Sequence, residues 1–418
     1  MPAHPKFDRI LPMPPVQKKL RILIVSPYFF PENFRINDVA QDLAKKSHEV
    51  SVLTGQPNYP HPDFFNEFRN KKIKNHVWEN IKIYRVPIIT RGNGGGFRRI
   101  LNYFSFTFSA TLWVLRNAKN RQFDVVLTWA SSPITSAIPS IVLRKRKKIP
   151  HAIWIQDMWP DTLADLGILK STYLLNLLNR LVLFIYNRSD IIWSQSSGFQ
   201  KTIASRIPAH QRVEILYNWG DENLASITKP TIKEDSRLKI LYAGNLGQAQ
   251  LLDRLVSIIE LLKDENIFWT FIGGGSLEGW LRDEISKRNL DSSAQVIARV
   301  SPDVIPHFAN WADILLLSLD AKGCFGLTIP SKLQTYMLWQ KPILGLVGGD
   351  AAAEIEKAQC GLTANPDNLK SFVQKIHQFL EMPIEQRQTY GENARRYAIR
   401  YFSKKEILDT LEQDLLSL

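Results

Sequence analysis

Several short segments of this sequence place polar or charged residues where a strand gives way to a loop. Lys332 closes Thr328-Ile-Pro-Ser-Lys332 ahead of a helical stretch. Pro330 fits the first turn of that helix, so Ser331 and the turn's N–H groups can meet an anion beside the full charge of Lys332. The alternative is a solvated lysine on a first turn. Gly244-Asn245-Leu246-Gly247 follows one strand and precedes a helix. Glycines there permit close backbone approach, and a helix start offers N–H groups to a phosphate. The alternative is an ordinary βα turn, because neither a GxGxxG pattern nor a Walker lysine is present. Gly273-Gly-Gly275, in the same place after the next strand, reads as a turn.

Carboxylates and amides occupy comparable places in the first half. Asp157 ends the strand in Trp154-Ile-Gln-Asp157-Met-Trp-Pro-Asp161 and suits a sugar hydroxyl or a general base. Asp161, after Pro160, fits a helix cap. Glu32 in Pro31-Glu32-Asn33 and Asn58 in Gly55-Gln-Pro-Asn58-Tyr-Pro60 lie in polar loops that either line a cleft or turn the chain.

Strands must hold all of these. Apolar runs predict them at Arg21–Ser26, His48–Thr54, Val125–Thr128, Ala152–Gln156, Ile191–Ser194, Leu238–Ala243, Phe268–Ile272, Gln295–Ala298, Ile314–Leu317 and Ile343–Val347. Helical patterns, such as Ile36–Lys46 and Leu251–Lys263, separate most of them. Strands without period-2 alternation that alternate with helices belong to parallel sheets covered on both faces. The expected fold is therefore α/β, two tandem Rossmann-like doubly wound domains. Their boundaries are an N-terminal extension over 1–20, a first domain over 21–220, a linker over 221–237, a second domain over 238–391 and a C-terminal helical segment over 392–418. In such sheets ligands sit at the carboxyl ends of the strands, so a cleft between the domains is the expected site.

The chain has 418 residues, 44% hydrophobic and 22% charged, which excludes a mainly disordered protein. Its two cysteines, Cys324 and Cys360, exclude a disulfide framework, and no CxxC or Cys/His cluster suggests structural zinc. No secretory signal is read in the first twenty residues, and the longest apolar stretch, Tyr103–Leu115, is short for a bilayer span. The net charge of +13 divides into +17 over residues 1–220 and −4 over 221–418, so an anionic partner is expected for the first half. Arg98-Arg99, the apolar run to Leu115, Arg116 and the cluster Arg144–Lys148 together suit an anionic membrane surface, with a buried core helix as the alternative. Nucleic acid is not expected, because the charge accompanies no helix-turn-helix or RNA-binding motif.

Taken in order, the motifs make a pattern. They are Tyr28-Phe-Phe-Pro-Glu32 with Asn37-Asp38, Leu53-Thr-Gly-Gln-Pro-Asn-Tyr-Pro60, Gln156-Asp-Met-Trp-Pro160, Tyr217-Asn-Trp219, Ala243-Gly-Asn-Leu-Gly247 with Ala249-Gln250, and Pro330-Ser-Lys332 with Lys341-Pro342. The chain resembles the GT-B glycosyltransferases of the large retaining family four, and within it the branch that builds bacterial surface polysaccharides, including N-acetylfucosamine and colanic-acid transferases. The resemblance covers nearly the whole chain from about residue 20.

It implies a retaining transfer of an N-acetylated or deoxy hexose from a UDP-sugar to a polyprenyl-diphosphate-linked saccharide, at the cytoplasmic face of the membrane and without a metal. Gly244, Asn245, Gly247, Arg299, Ser331 and Lys332 would bind the nucleotide-sugar. Lys332 and Asp157 would be catalytic, and Glu32, Asn58 and Asp157 would face the acceptor and the sugar. The resemblance also implies that the C-terminal helix crosses back to the first domain. Two features depart from the family. Its paired glutamates fall here on Leu327 and Thr335, and its Arg and Lys after the first donor-side strand are replaced by Asn245 and, approximately, Gln250. A UDP-sugar 2-epimerase and a catalytically degenerate, transferase-like binding protein are the alternatives.

Overall fold

The computed structural model describes residues 18–59, 68, 75–91, 96–220 and 236–418. The linker read at 221–237 therefore lies outside the described residues up to 235, as do residues 1–17, most of the Gly92–Gly96 loop and Pro60. The apolar runs form two sheets. The first contains β1 (Arg21–Val25), β2 (Glu49–Gly55), β3 (Asn75–Trp78), β4 (Ile81–Val86), β5 (Val125–Ala130), β6 (His151–Ile155), β7 (Ile191–Ser194) and β8 (Arg212–Ile215), in the order β3-β4-β2-β1-β5-β6-β7-β8. Every residue of β5 and β6 is buried, which is why their sequences show no alternation.

One strand pair departs from the parallel expectation. β3 runs antiparallel to β4. Glu79 and Asn80 join them with φ of 48° and 67°, the paired positive values of a two-residue hairpin turn.

The second sheet holds β9 (Leu238–Ala243), β10 (Ile267–Ile272), β11 (Ala294–Ile297), β12 (Ile314–Ser318), β13 (Ile343–Leu346) and β14 (Gly361–Ala364), in the order β11-β10-β9-β12-β13-β14 and paired in parallel. Successive residues of β9 feed opposite faces. Leu238, Ile240 and Tyr242 enter one core with the helices Leu252–Leu261 and Leu369–Glu381, whereas Leu241 and Ala243 enter another with Ser331–Leu338 and Gly349–Ala358. The chain order reverses between β9 and β12, so a crevice opens at their carboxyl ends.

Backbone proximity groups the chain into two compact units. One takes the described residues up to Thr128, Ile138–His151 and Glu412–Leu418; the other takes Trp129–Ala137 and Ala152–Leu411. The terminal stretch is two helices, Ile384–Tyr401 and Lys404–Ser417, and not one. Within the first unit, Glu412 accepts from Lys46 at 3.0 Å and meets His48 at 2.9 Å. The apolar helix of the first half extends over Gly96–Asn117.

Candidate active site

The loops after β9 and β10 are laced together by backbone. Gly244 N donates to Ile272 O at 2.8 Å, Leu246 N to Gly274 O at 3.0 Å, and Leu277 N to Leu246 O at 2.9 Å. This seam explains the glycine triplet. A Cβ on Gly273 (φ 155°) would stand 1.8 Å from Gly244 O, and one on Gly275 would stand 2.2 Å from Leu246 O. The triplet is thus a close approach between two loops, not only a turn.

Gly244 in turn borders Lys332. Its φ is 151°, and a Cβ there would lie 2.8 Å from Lys332 Cδ and 3.3 Å from Nζ. Pro330 is the residue before the helix Ser331–Leu338, so Lys332 is its second residue and extends back over the end of β9. Lys332 Nζ lies 4.1 Å from the centre of the Tyr242 ring and donates to Tyr242 Oη. Tyr242 Oη donates onward to Asn245 O at 2.6 Å. Burial pushes the Tyr242 phenol well above its ordinary value, so it stays neutral. Burial also lowers Lys332 to about 7, and no neighbouring carboxylate raises it back. Among the described residues no carboxylate pairs with this ammonium. A desolvated cation of this kind is stabilised by an incoming anion.

Around that charge the other expected residues fall unevenly. Arg299 is exposed beside the seam, its Cβ 3.7 Å from where a Gly274 Cβ would be. Asn245 is exposed, and its backbone N–H has no acceptor among the described residues. Ser331 is exposed at the helix start. Gly247 N is already taken by Gln250 Oε1 at 3.0 Å. The turn Gln248–Gln250 and left-handed Leu251 then intervene before the helix at Leu252, so that helix start is displaced from the Gly244–Gly247 loop. Lys341, of the Lys341-Pro342 motif, donates to Asn310 O at 2.8 Å and Ala312 O at 2.7 Å, capping the end of the helix Ile305–Trp311.

The first-half residues form separate clusters. Asp157 Oδ2 accepts from Ser132 N at 3.0 Å and Ser132 Oγ at 2.7 Å, and Trp159 Nε1 donates to the same Oγ at 3.0 Å. Its other oxygen is unengaged among the described residues. Asp161 makes no capping bond and instead forms a two-pronged ion pair with Arg206 at 2.7 and 2.8 Å. Glu32 is buried, with Oε1 accepting from Asn58 N and Tyr59 N at 2.8 Å and Oε2 from Phe29 N at 3.3 Å. Burial raises its carboxyl to about 7 against those three N–H groups and the nearby Arg85. Asn58 is buried too, its Oδ1 accepting from Asn102 Nδ2 at 3.2 Å.

Sequence reasoning missed Tyr242 and Tyr336. Tyr336 Oη accepts from Ala243 N at 2.8 Å and donates to Ala243 O at 2.9 Å, closing the edge of β9 where β12 diverges. Both tyrosines read as apolar core residues; their signal is position, one at the end of β9 and one a helical turn after Lys332.

Residues 34–223 match the family described as Glycosyltransferase Family 4, and residues 225–397 match Glycosyl transferases group 1. WbjE of Pseudomonas aeruginosa, named as a glycosyltransferase, is 24% identical over 69% of this chain and 72% of its own. WcaI of Escherichia coli K12, named as a colanic acid biosynthesis glycosyl transferase, is 22% identical over 95% of this chain and 100% of its own. Among solved structures, Anabaena Alr3699/HepE in complex with UDP superposes with a TM-score of 0.65 at 13% identity, covering 96% of this chain and 100% of that one.

Proposed function

Because the chain is a GT-B glycosyltransferase, with a family 4 domain in its first half and a group 1 domain in its second, we propose that it moves an N-acetylated or deoxy hexose from a UDP-sugar to a saccharide carried on polyprenyl diphosphate. The transfer retains configuration at the anomeric carbon and serves a bacterial surface polysaccharide. The likeness to a protein named for colanic acid biosynthesis and the fold shared with a UDP complex support this reading.

The observation that carries it is Lys332, a half-buried side chain at the end of β9 whose one hydrogen-bond partner among the described residues is a neutral phenol. As the glycosidic C–O bond to the diphosphate breaks, negative charge grows on the leaving oxygen. The Lys332 ammonium, the Asn245 N–H and the Arg299 guanidinium receive that charge, which is where such a site lowers the barrier most. The acceptor oxygen bonds to the anomeric carbon on the face the diphosphate leaves, and the acceptor's proton goes to the departing phosphate. Asp157, one oxygen fixed by Ser132, directs its free oxygen to a sugar hydroxyl. No metal enters the scheme.

The helix Gly96–Asn117 attaches the enzyme to the inner membrane face. Phe104 and Phe108 are 62% and 71% exposed on it, with Arg98 and Arg99 at its start and Arg116 in its last turn. No helix among the described residues is long and apolar enough to cross a membrane.

Thermal melts with UDP, GDP, ADP and dTDP at millimolar concentration test the donor assignment, because a ligand of the folded state raises the midpoint by mass action. A selective rise with UDP is expected. A rise with GDP alone changes the donor, and no rise with any nucleotide overturns the assignment.

A further inference from the structure

The first half holds a second cation without a carboxylate. Arg91 follows β4 and is partly buried. Its guanidinium donates to Tyr28 Oη and, at 3.1 Å, to Tyr103 Oη. It lies 5.1, 5.6 and 5.2 Å from the ring centres of Tyr28, Tyr59 and Tyr103. Every partner is neutral, and among the described residues no carboxylate pairs with it. Phenol rings and hydroxyls orient a guanidinium but leave its charge uncancelled, and a fork of this type is suited to phosphate. Beside it, Tyr59 is 44% exposed and packs against Phe34 with ring centres 5.4 Å apart, an aromatic surface of the kind that covers an apolar or sugar face.

The same segment is fastened to the apolar helix Gly96–Asn117. Asn102 Nδ2 donates to Ile89 O at 2.6 Å, Ile89 N to Ser105 Oγ at 2.9 Å, and Arg98 Nε to Thr90 O at 3.2 Å. One face of this helix thus positions Arg91, and a second enters the core through Phe106, Ala110 and Val114. The third carries Leu101, Phe104, Phe108 and Leu115, all exposed. A helix that joins an anion-binding guanidinium to an unpartnered apolar stripe matches a ligand with both characters.

We propose that Arg91 binds the diphosphate of the polyprenyl-diphosphate acceptor while the Leu101/Phe104/Phe108 stripe takes its hydrocarbon chain. The assignment rests on the acceptor class given above and adds to it a subsite and an orientation. It separates the acceptor's phosphates from those of the donor, which meet Lys332.

Farnesyl diphosphate is the probe, titrated calorimetrically with UDP at saturation so that the Lys332 site is filled. Inorganic diphosphate alone, farnesol alone and phosphatidylglycerol vesicles are the companion ligands. Farnesyl diphosphate is expected to bind wild-type protein more tightly than either of its parts. Arg91→Gln should weaken it at least tenfold, while Arg91→Lys, which keeps the charge but not the fork, should lose less. Phe104→Ser with Phe108→Ser should weaken farnesyl diphosphate and leave inorganic diphosphate unchanged.

The UDP-induced rise in melting midpoint, retained in Arg91→Gln, shows that this variant is folded. A wild-type protein that ignores UDP but binds farnesyl diphosphate through Arg91 sinks the donor assignment alone. Equal binding by wild type and Arg91→Gln overturns the proposal. A matching loss of phosphatidylglycerol vesicle binding in Arg91→Gln assigns Arg91 to bulk lipid headgroups and overturns it as well.

Discussion

The loops after β1 and β2 and the loops after β9 and β10 occupy equivalent places, at the carboxyl ends of neighbouring parallel strands, but treat charge in opposite ways. In the first, Glu32 spends both oxygens on three backbone N–H groups and lies close enough to Arg85 for the charges to interact. Arg85 is tied to Gly55 O at 3.0 Å and to Phe30 O. In the second, half-buried Lys332 meets one neutral hydroxyl and, among the described residues, no acid. A buried charge whose partners are internal holds loops together, whereas one whose partner is missing is built for a ligand. By that criterion Glu32 and Asn58 hold their loops together, and Lys332 is the residue proposed to meet the donor.

The comparison is broken most severely through the backbone. Gly273→Ala forces a Cβ against Gly244 O and should cost about 3 kcal/mol or more, read as a lower urea midpoint. Gly167→Ala, with φ 66° and open space around it, should cost only about 1 kcal/mol. Equal costs would dissolve the idea of a close seam.

Charge removal separates the two regions next. Arg85→Ala leaves the Gly55 and Phe30 carbonyls without their donor, removes a cation that interacts with Glu32, and should destabilise by roughly 3 kcal/mol in the same measurement. Lys332→Ala should instead leave the unliganded midpoint unchanged or raised, while lowering turnover on the order of 100-fold. A stability loss in Lys332→Ala like that in Arg85→Ala would put both charges in the scaffold.

The effects of pH fall in separate windows. Glu32, raised from 4.5 to about 7, favours the folded state when protonated, so its contribution is fully present below 4.5 and lost as pH rises through about 7. Lys332, lowered from 10.5 to about 7, does the reverse: its cost stands below 7 and is relieved as pH rises toward 10.5. Urea midpoints across pH should show each slope, at most about 3 kcal/mol for Glu32. Glu32→Gln should flatten only the acidic window and Lys332→Met only the alkaline one.

Much of this architecture was legible in the residues. The unalternated runs read at Arg21–Ser26 and Val125–Thr128 announced buried parallel strands, and all their residues but the half-buried Arg21 are buried. The β3–β4 hairpin was not legible, because Glu79-Asn80 lacks the glycine that marks such turns and β4 alternates like a half-exposed strand. β8 and β14 did not stand out because neither is a continuous apolar run: Arg212 and Glu214 interrupt the first, Gly361 and Thr363 the second. Lys332 was legible from Pro330-Ser331-Lys332 ahead of a helix. Its isolation was not, since that depends on which side chains surround it after folding. The same reason hid Arg91, whose tyrosines come from three separate segments.

The central claim, that Lys332 carries its charge for an incoming anion, is tested most directly by proton uptake on UDP binding. Calorimetry at pH 8 in two buffers of different ionisation enthalpy measures it. With Lys332 near 7 in the empty site, binding should draw in close to one proton per UDP in wild type and none in Lys332→Met. No uptake in wild type, or the same uptake in both proteins, would contradict the claim.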